Sequence, residues 1–437
     1  MQIVSRGSWS GAVGFVLAAM GSAVGLGNVW RYPYITGEYG GAAFIIVYIG
    51  CVVAIGIPLM LAEFLIGRRT QRNPVGAFRT LRPKRLWHLT GWLGVVSSFV
   101  ILSYYAVVGG WVLHYVYLAG VNSFSGKVPR QIALLFTGLD ARPWLQIFWL
   151  MIFMLVTVII VSRGVSKGIE VGNKIMMPLL FALLVILLAY AVQTRGAGAG
   201  LEFLLRPQWE KLGRAAVLEA LGQALFSLSL GMGAMITYGS YLSRESNLVG
   251  CTFYVAIGDT LVAILAGFVV FPLVFSFGLK PSAGPGLIFQ TLPIAFAQLP
   301  GGYWVALAFF VLLSFAALTS SMSLLEVACA YFVDEQRWPR KKASWTLGSV
   351  IFLLGIPSAV SGEFLGFMDG LATNYLLPIG ALLIAIFTGW VLKHDERKEE
   401  FNTGENSEFR FAGWSVLIRF VSPVALILIF LHQLGIF

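Results

Sequence analysis

Long runs of apolar residues recur from one end of the chain to the other, separated by short polar segments. They lie at residues 11–36, 42–66, 89–120, 145–161, 169–192, 216–241, 250–277, 303–332, 345–360, 365–392 and 412–436. A run of roughly 20 apolar residues can cross the hydrocarbon core of a bilayer as an α-helix. The runs are continuous rather than alternating, which argues against a membrane β-barrel. The pattern predicts an all-α integral membrane protein with about eleven transmembrane helices, numbered 1 to 11 here, in a single domain over residues 1–437.

The first apolar run contains residues that do not favour a continuous helix. Its segment GSAVGLGNVWR places Gly21, Gly25 and Gly27 within seven positions, followed by Asn28 and Arg31. Each glycine costs about 1 kcal/mol of helix propensity relative to alanine, and backbone groups opened inside a bilayer find no partner in lipid. An ion or a polar solute can supply those partners, so the segment is a candidate binding site near the middle of the membrane.

A second interrupted run follows five helices later. Helix 6 contains SLSLGMGAM, which is broken around Ser229, Gly231 and Gly233. Two broken helices at corresponding positions indicate an inverted repeat, with halves at about 11–192 and 216–392 and a peripheral helix at 412–436. The N-terminal ends of half-helices carry partial positive charge, which suits a carboxylate in the gap. The alternative is that the glycines only let helices pack closely.

Composition supports a membrane protein and argues against nucleic acid as a partner. Hydrophobic residues make up 58% of the chain and charged residues 11%, whereas soluble domains carry about 25% charged residues. The net charge is +10, but the basic residues follow the topology, and the loop between helices 2 and 3 contains Arg68, Arg69, Arg72, Arg79, Arg82, Lys84 and Arg85. Because basic residues concentrate in cytoplasmic loops, we expect the N-terminus in the cytoplasm and the C-terminus outside.

Two loops differ in composition from the rest. The external segment 278–302 is apolar yet rich in proline and glycine, so we expect it to fold over the outer mouth as a lid. The charged segment 393–410 is expected to be a solvated internal linker with no evident chemistry.

Few charged residues lie in or beside the predicted helices, and each is a functional hypothesis by default. Asp259 lies in helix 7. Arg31 and Asp369 lie at a similar depth near the outer ends of helices 1 and 10, where they can pair. Arg6 and Asp334 can pair at the inner surface. The alternative is that such pairs are static struts.

Helix 8 carries a run of hydroxyl side chains within AALTSSMSLLE: Thr319, Ser320, Ser321 and Ser323. In a helix these side chains often bond back to their own backbone carbonyls, which is the alternative interpretation. As ligands, hard oxygens without thiolate or histidine suit Na+ rather than a transition metal.

Several long motifs occur in a fixed order along the chain: GSAVGLGNVWRYPY, GGAAFIIVY, IPLMLAEFLIGR, GQALFSLSLGMGAMITYGSY, GPGLIFQTLP and FAALTSSMSLLE. They closely resemble the neurotransmitter:sodium symporter family, above all its bacterial amino-acid members with the leucine-transporter fold. The resemblance covers nearly the whole chain. It implies a sodium-coupled amino-acid symporter of the bacterial inner membrane that works by alternating access, and not an enzyme.

The resemblance also implies two co-transported sodium ions. The positions that match the first sodium site are Ala23, Asn28, Ser227 and Asp259. Those that match the second are Gly21, Val24, Ala316, Thr319 and Ser320. Chloride-dependent members carry a serine where this chain has Ala263, and Asp259 can supply the fixed negative charge that chloride otherwise provides. We therefore expect no dependence on chloride.

For the substrate, the informative position is Gly25, where monoamine carriers have an aspartate that meets the ligand amine. The substrate should therefore bring its own carboxylate, as an α-amino acid does. The positions implied to bind it are Ala23, Gly25, Leu26, Gly27, Ile101, Tyr105, Phe226, Ser227, Ser229, Met232, Ser320 and Leu324. The side-chain part of this wall is apolar, which favours a hydrophobic or aromatic amino acid.

Gates are implied on both sides of this site. Arg31 and Asp369 match the outer gate. The inner gate is matched by Arg6, Trp9, Tyr241 and Asp334. Gly168 and Pro178 match a motif at which the inner end of helix 5 unwinds, and a proline inside a helix removes a backbone donor.

Other functions fit the sequence less well. A non-transporting amino-acid sensor on the same scaffold would not need the inner gate. An intramembrane hydrolase would need a catalytic motif such as HExxH or GxSxG, which the chain lacks. A channel would not need two gates in series. The oligomeric state stays open at this point.

Overall fold

The computed structural model describes residues 7–278, 286–403 and 407–433, and every regular element in these ranges is a helix. Nine of the described helices are long and apolar enough to cross a membrane. They are helix 2 (Ala42–Thr70), helix 3 (His88–Gly120), helix 4 (Pro143–Ser162), helix 5 (Val165–Ala191), helix 7 (Leu248–Phe275), helix 8 (Gly302–Asp334), helix 9 (Arg340–Val360), helix 10 (Gly362–Val391) and helix 11 (Glu408–His432). With the interrupted helices 1 and 6, the predicted all-α membrane fold of about eleven helices is confirmed.

Helices 1 and 6 are both broken, as predicted. Helix 1 consists of Ala12–Ala23 and Gly27–Glu38, which are bent by 52° relative to each other. Helix 6 consists of Arg214–Ser227 and Ala234–Gly239. The connection in helix 6 includes Ser229, whose φ of 53° is unusual for a residue with a side chain. The inverted repeat itself stays a prediction.

The two breaks lie against each other and are held by side chains. Ser229 Oγ donates to the main-chain oxygen of Ser22 at 2.8 Å. The main-chain N–H of Gly231 donates to Glu63 Oε1, on helix 2, at 2.7 Å. Gly231 has a φ of 80°, which favours glycine. Some of the backbone groups freed by the breaks thus find partners within the protein, as a membrane interior requires.

Five wide, π-helical turns in the described residues end two positions before a proline. They are Gly27–Arg31, Val52–Gly56, Leu287–Thr291, Ala372–Leu376 and Leu417–Val421, and the prolines are Pro33, Pro58, Pro293, Pro378 and Pro423. Proline lacks an N–H, and its ring collides with the carbonyl four residues earlier. A wider turn moves that carbonyl away. These prolines therefore widen the helices without ending them.

Helices differ in how deeply they are buried. Helices 3 and 8, of 33 residues each, are mostly buried. The helices around them expose large apolar side chains, among them Ile175 on helix 5, Leu353 on helix 9 and Leu428 on helix 11. An apolar exterior of this kind is suited to lipid.

The prediction that 393–410 is a solvated linker without chemistry was wrong for its first part. A helix, His394–Phe401, presents three acidic side chains to the end of helix 2 and to the loop that follows it. The ion pairs are Arg82–Glu396 at 2.8 Å, Arg69–Glu399 at 2.9 Å and Arg68–Glu400 at 2.8 Å. Residues 404–406 lie outside the described ranges.

Part of the predicted lid at 278–302 is also helical. Leu287–Gln298 forms a short helix on the face of the protein that is predicted to be external, while residues 279–285 lie outside the described ranges. Tyr115 OH donates to the Phe289 main-chain oxygen at 2.7 Å, and the Phe289 and Trp30 rings have centroids 6.3 Å apart. The helix is thus packed onto helices 1 and 3, and its role as a lid stays a prediction.

Candidate functional site

One cavity lies where the broken helices 1 and 6 meet helices 3 and 8. All twelve positions named above for the substrate line it, together with Ser22, Asn28 and Ser323. Helices 3 and 8 contribute Tyr105 and Leu324 among others. The fold thus gathers residues that are up to about 300 positions apart in sequence around one space at the helix breaks.

Oxygen atoms of helices 6 and 7 converge on the side chain of Asn28. Its Nδ2 lies 2.7 Å from Asp259 Oδ1, 3.1 Å from the Asp259 main-chain oxygen and 3.0 Å from Ser227 Oγ. Ser227 donates its hydroxyl proton to Asp259 Oδ2 at 2.7 Å. The three side chains are at most 1% exposed. The electropositive amide NH2 of Asn28 thus lies at the centre of an oxygen cluster.

This cluster fits a sodium ion. The two ends of an amide have nearly the same shape, so a half-turn of the Asn28 side chain presents Oδ1 to the cluster in place of Nδ2. Oδ1 otherwise accepts from the Gly25 N–H at 3.0 Å. A buried carboxylate such as Asp259 requires a cation or strong hydrogen bonds. Within the described ranges there is also no group of three or more His, Cys, Asp or Glu side chains that a transition metal would favour.

The residues predicted for a second sodium ion also come together, between helices 1 and 8. Thr319 Oγ1 donates back to the Phe315 and Ala316 main-chain oxygens at 3.0 and 3.1 Å. Ser320 Oγ instead reaches helix 1, 3.2 Å from the Ser22 main-chain oxygen. Its distance to the Val24 main-chain oxygen is 3.5 Å. The hydrogen bonds of Thr319 to its own helix use only the hydroxyl proton, so the lone pairs of its oxygen can still bind a cation.

Glycines keep the cavity open next to helix 1. A Cβ built on Gly25 would lie 2.7 Å from Ser320 Oγ, and one built on Gly27 would lie 3.0 Å from the Phe226 ring. The Leu26 N–H points to Tyr105 OH across a long 3.4 Å contact. Any side chain at position 25 would therefore occupy the space of a ligand.

On the outer side, Arg31 does not take the predicted partner. Its Nη2 lies 3.4 Å from Glu219 Oε2, and its guanidinium carbon lies 5.6 Å from the centroid of the Phe226 ring. Among the described ion pairs none joins Arg31 to Asp369, and Arg31 Nη1 has no hydrogen-bond partner there. Phe226 lines both the central cavity and an outer one next to Arg31. The outer gate therefore stays a proposal, with Glu219 as an additional member.

On the inner side, Trp9 closes against the end of helix 6. Its Nε1 donates to the Tyr238 main-chain oxygen at 3.0 Å, and its ring centroid lies 6.1 Å from that of Tyr241. Asp334 Oδ2 accepts from the N–H and the Nδ2 of Asn73, both at 3.1 Å. Arg6, its predicted partner, lies outside the described residues.

A buried ion pair that the sequence analysis missed lies beside Tyr241. The Glu326 carboxylate accepts from Tyr241 OH at 2.6 Å and from Arg340 Nη1 at 3.0 Å, and it also contacts Arg340 Nη2. Arg340 Nε donates to the Val161 main-chain oxygen at 3.0 Å. Helices 4, 8 and 9 and the residues that follow helix 6 are thereby tied together. The signal in the sequence was the lone acid in an apolar stretch of helix 8.

Helix 5 begins irregularly at its inner end. Gly168 lies in the π-helical turn Val165–Glu170, where a Cβ would overlap the Ile160 main-chain oxygen of helix 4. Pro178 lies inside the following α-helical part. Gly168 thus lies in an irregular turn and Pro178 in a proline-containing part of helix 5, and the unwinding of its inner end stays a prediction.

Comparison with known proteins gives matches over the whole chain. A family model described as the sodium:neurotransmitter symporter family matches residues 6–133 and 129–437. The chain is 40% identical over 440 residues to an uncharacterized sodium-dependent transporter, YhdH, of Bacillus subtilis strain 168, with 98% of each chain covered. It is 37% identical over 451 residues to an uncharacterized sodium-dependent transporter of Haemophilus influenzae, again with 98% of each covered.

A solved structure also matches along nearly the whole chain. The crystal structure of MhsT in complex with L-phenylalanine aligns with a TM-score of 0.92 and 45% sequence identity. The alignment covers 98% of this chain and 100% of that one.

Proposed function

Because the chain belongs to the sodium:neurotransmitter symporter family, a family of transporters, we propose that it couples the inward movement of two sodium ions to the uptake of an α-amino acid with a large apolar side chain. The observation that carries this proposal is the single cavity at the breaks of helices 1 and 6. It combines free backbone groups, an oxygen cluster that fits a cation and an apolar wall.

The charged end of an amino acid matches the polar end of the cavity. The Leu26 N–H and Tyr105 OH are separated by a long contact of 3.4 Å, so either can turn to a carboxylate without losing a strong bond. A sodium ion beside Asn28 would neutralise the carboxylate further. With Gly25, this segment of helix 1 has no acidic side chain to replace the ligand's own carboxylate.

The other end of the cavity favours a large apolar side chain. Ile101, Met232 and Leu324 form its wall, and Met is a flexible side chain that adapts to ligands of different shape. Gly231 and Gly233, both with positive φ, flank Met232 and let the backbone bend there. The related MhsT binds L-phenylalanine, which is consistent with this preference.

Transport requires that the cavity open to each side in turn. We propose that sodium and substrate together favour closure of the outer side by Phe226, Arg31 and Asp369, and that release follows opening around Trp9 and Gly168. Sodium and substrate must raise each other's affinity by the same factor, since binding free energies are linked.

We further propose that the protein works without chloride and lies in the bacterial inner membrane with its N-terminus in the cytoplasm. Asp259 supplies a fixed negative charge beside the first cation site, and Ala263 offers no hydroxyl to bind chloride. The ion pairs that join the end of helix 2 and the loop after it to His394–Phe401 require these segments to lie on one side of the membrane. The basic residues of that loop favour the cytoplasmic side.

The test is the thermal stability of the purified protein with each of the twenty amino acids, in sodium and in potassium buffer. We expect stabilisation by phenylalanine, leucine or a similar amino acid in sodium only. Equal shifts in both salts would contradict sodium coupling, and no shift would contradict the amino-acid assignment. Gly25→Ala should abolish the shift because its Cβ enters the cavity, whereas Gly50→Ala, on helix 2 with no neighbour within 4 Å, should not.

A second measurement separates a transporter from a sensor. The amino acid identified by stabilisation is supplied to proteoliposomes with an inward sodium gradient. Accumulation that collapses when the gradient is removed supports the proposal, while binding without accumulation supports the sensor.

A further inference from the structure

The amide of Asn173, on helix 5, has an oxygen that the fold leaves without a partner. The side chain is 0% exposed. Its Nδ2 donates to the Ile169 main-chain oxygen at 2.8 Å, but no described residue donates a hydrogen bond to Oδ1. Burying a polar group without a hydrogen bond is costly, so this oxygen is expected to meet a ligand in at least one state of the protein.

The free oxygen points to the junction of helices 1 and 8. A Cβ built on Gly21 would overlap Asn173 Oδ1 and would lie 3.2 Å from Thr319 Cβ. Gly21 and Thr319 are two of the residues proposed for the second sodium ion. The orientation is fixed because the other end of the amide is bonded to Ile169.

We infer that Asn173 Oδ1 is a further ligand of the second sodium ion, contributed by helix 5. The inference rests on the proposed function. Amide oxygens are hard ligands of the kind that Na+ prefers over nitrogen or sulfur. The alternative is a weak Cα–H···O contact between Gly21 and Oδ1 that only packs the two helices together.

A ligand at this position links the ion to the inner end of helix 5. Asn173 lies between Gly168 and Pro178, and its Nδ2 is bonded to Ile169, inside the π-helical turn Val165–Glu170. Unwinding of that turn removes the bond that orients the amide. Loss of the oriented oxygen weakens the hold on the ion and opens its way to the cytoplasm.

The test uses Asn173→Leu in the purified full-length protein, which keeps the size of the side chain but removes the oxygen, and Asn173→Ala serves if the leucine variant does not fold. The matched control is Ser321→Ala on helix 8, since the buried Ser321 hydroxyl pairs with Thr157 rather than with helix 1. The first readout is the sodium concentration that gives half of the thermal stabilisation by sodium alone, relative to potassium. The second is the same midpoint with the amino acid present.

We expect Asn173→Leu to raise both sodium midpoints about tenfold, as for the loss of one bond to a charged group, with unchanged stability in potassium. Ser321→Ala should stay within about twofold of the wild type. Unchanged midpoints in Asn173→Leu, or an equal loss of stability in both salts, would overturn the inference. If sodium alone stabilises the wild type but no amino acid adds to it, the proposed function fails while the role of Asn173 is still measured.

Discussion

Removing either member of the Glu326–Arg340 pair is expected to destabilise the inner side of the protein strongly. The Glu326 side chain is 0% exposed and that of Arg340 is 21% exposed. Breaking a buried pair on one side leaves an uncompensated charge and costs about 3–5 kcal/mol. The loss of stability within this range depends on the hydrogen bonds and the solvent contact that the remaining charged side chain keeps.

In Glu326→Met, Arg340 keeps its bond to the Val161 main-chain oxygen at 3.0 Å and some contact with solvent. We therefore expect the lower end of the range, about 3 kcal/mol. In Arg340→Met, Glu326 keeps only the Tyr241 hydroxyl and no solvent. Here we expect the upper end, about 5 kcal/mol. The double variant replaces both charges by apolar groups and should lose less than either single variant.

The assay is equilibrium unfolding of the purified protein by sodium dodecyl sulfate in mixed micelles, with all four proteins of the cycle measured together. The matched control is the exposed pair Arg206–Glu202, at 3.0 Å with side chains 79% and 64% exposed. Its removal should change the unfolding free energy by less than about 1 kcal/mol. Single variants at Glu326 and Arg340 that behave like this control, or a double variant with the sum of both losses, would refute the reasoning.

Three further outcomes follow from the site and from the inner loops. Ser227→Ala removes a hydroxyl from the first sodium site and should raise the half-saturating sodium concentration for uptake about tenfold or more, whereas Ser98→Ala, whose buried hydroxyl bonds only within helix 3, should leave it unchanged. Replacing chloride by gluconate should not change uptake by the wild type, and Asp259→Asn, which removes the fixed charge, should lower uptake. Wild-type uptake that falls without chloride would contradict this. Burial tends to raise the pKa of Glu396, but hydrogen bonds from Arg82 and the Lys393 N–H outweigh it and hold that pKa below its ordinary value. These hydrogen bonds to Glu396 therefore stabilise the folded protein at pH values above the ordinary glutamate pKa of about 4.3. This stabilisation is lost as the pH falls through the lower pKa that Glu396 has in the folded protein, so Glu396→Gln should flatten the acid side of the thermal stability profile.

The sequence predicts the membrane fold well because its signals are local. Apolar length marks each helix, and the glycines at Gly25 and Gly231 mark the two breaks. The residues around the cavity came from the family resemblance, since no periodicity shows that Tyr105 and Leu324 face the same space. Their meeting depends on how helices 3 and 8 cross.

Ion pairs between residues that are far apart in the sequence were harder to predict. Arg31 has two acids at a similar depth, Glu219 and Asp369, and only the packing shows that Glu219 is the nearer one. The helix at 394–401 had a usable signal, because acids at positions 396, 399 and 400 face one side of a helix. The basic loop that they meet is more than 300 positions away.

The wide turns before the prolines change which faces of their helices the neighbouring residues lie on. Such a turn holds one residue more than an α-helical turn requires. The extra residue rotates the part of the helix beyond the turn by about 100° relative to an uninterrupted α-helix, and the proline that follows keeps the turn in place. Arg31 ends one such turn, and Asp369 lies just before another, Ala372–Leu376. The wide turns thus help to fix the faces of helices 1 and 10 on which these two charged side chains lie, while both helices continue across the membrane.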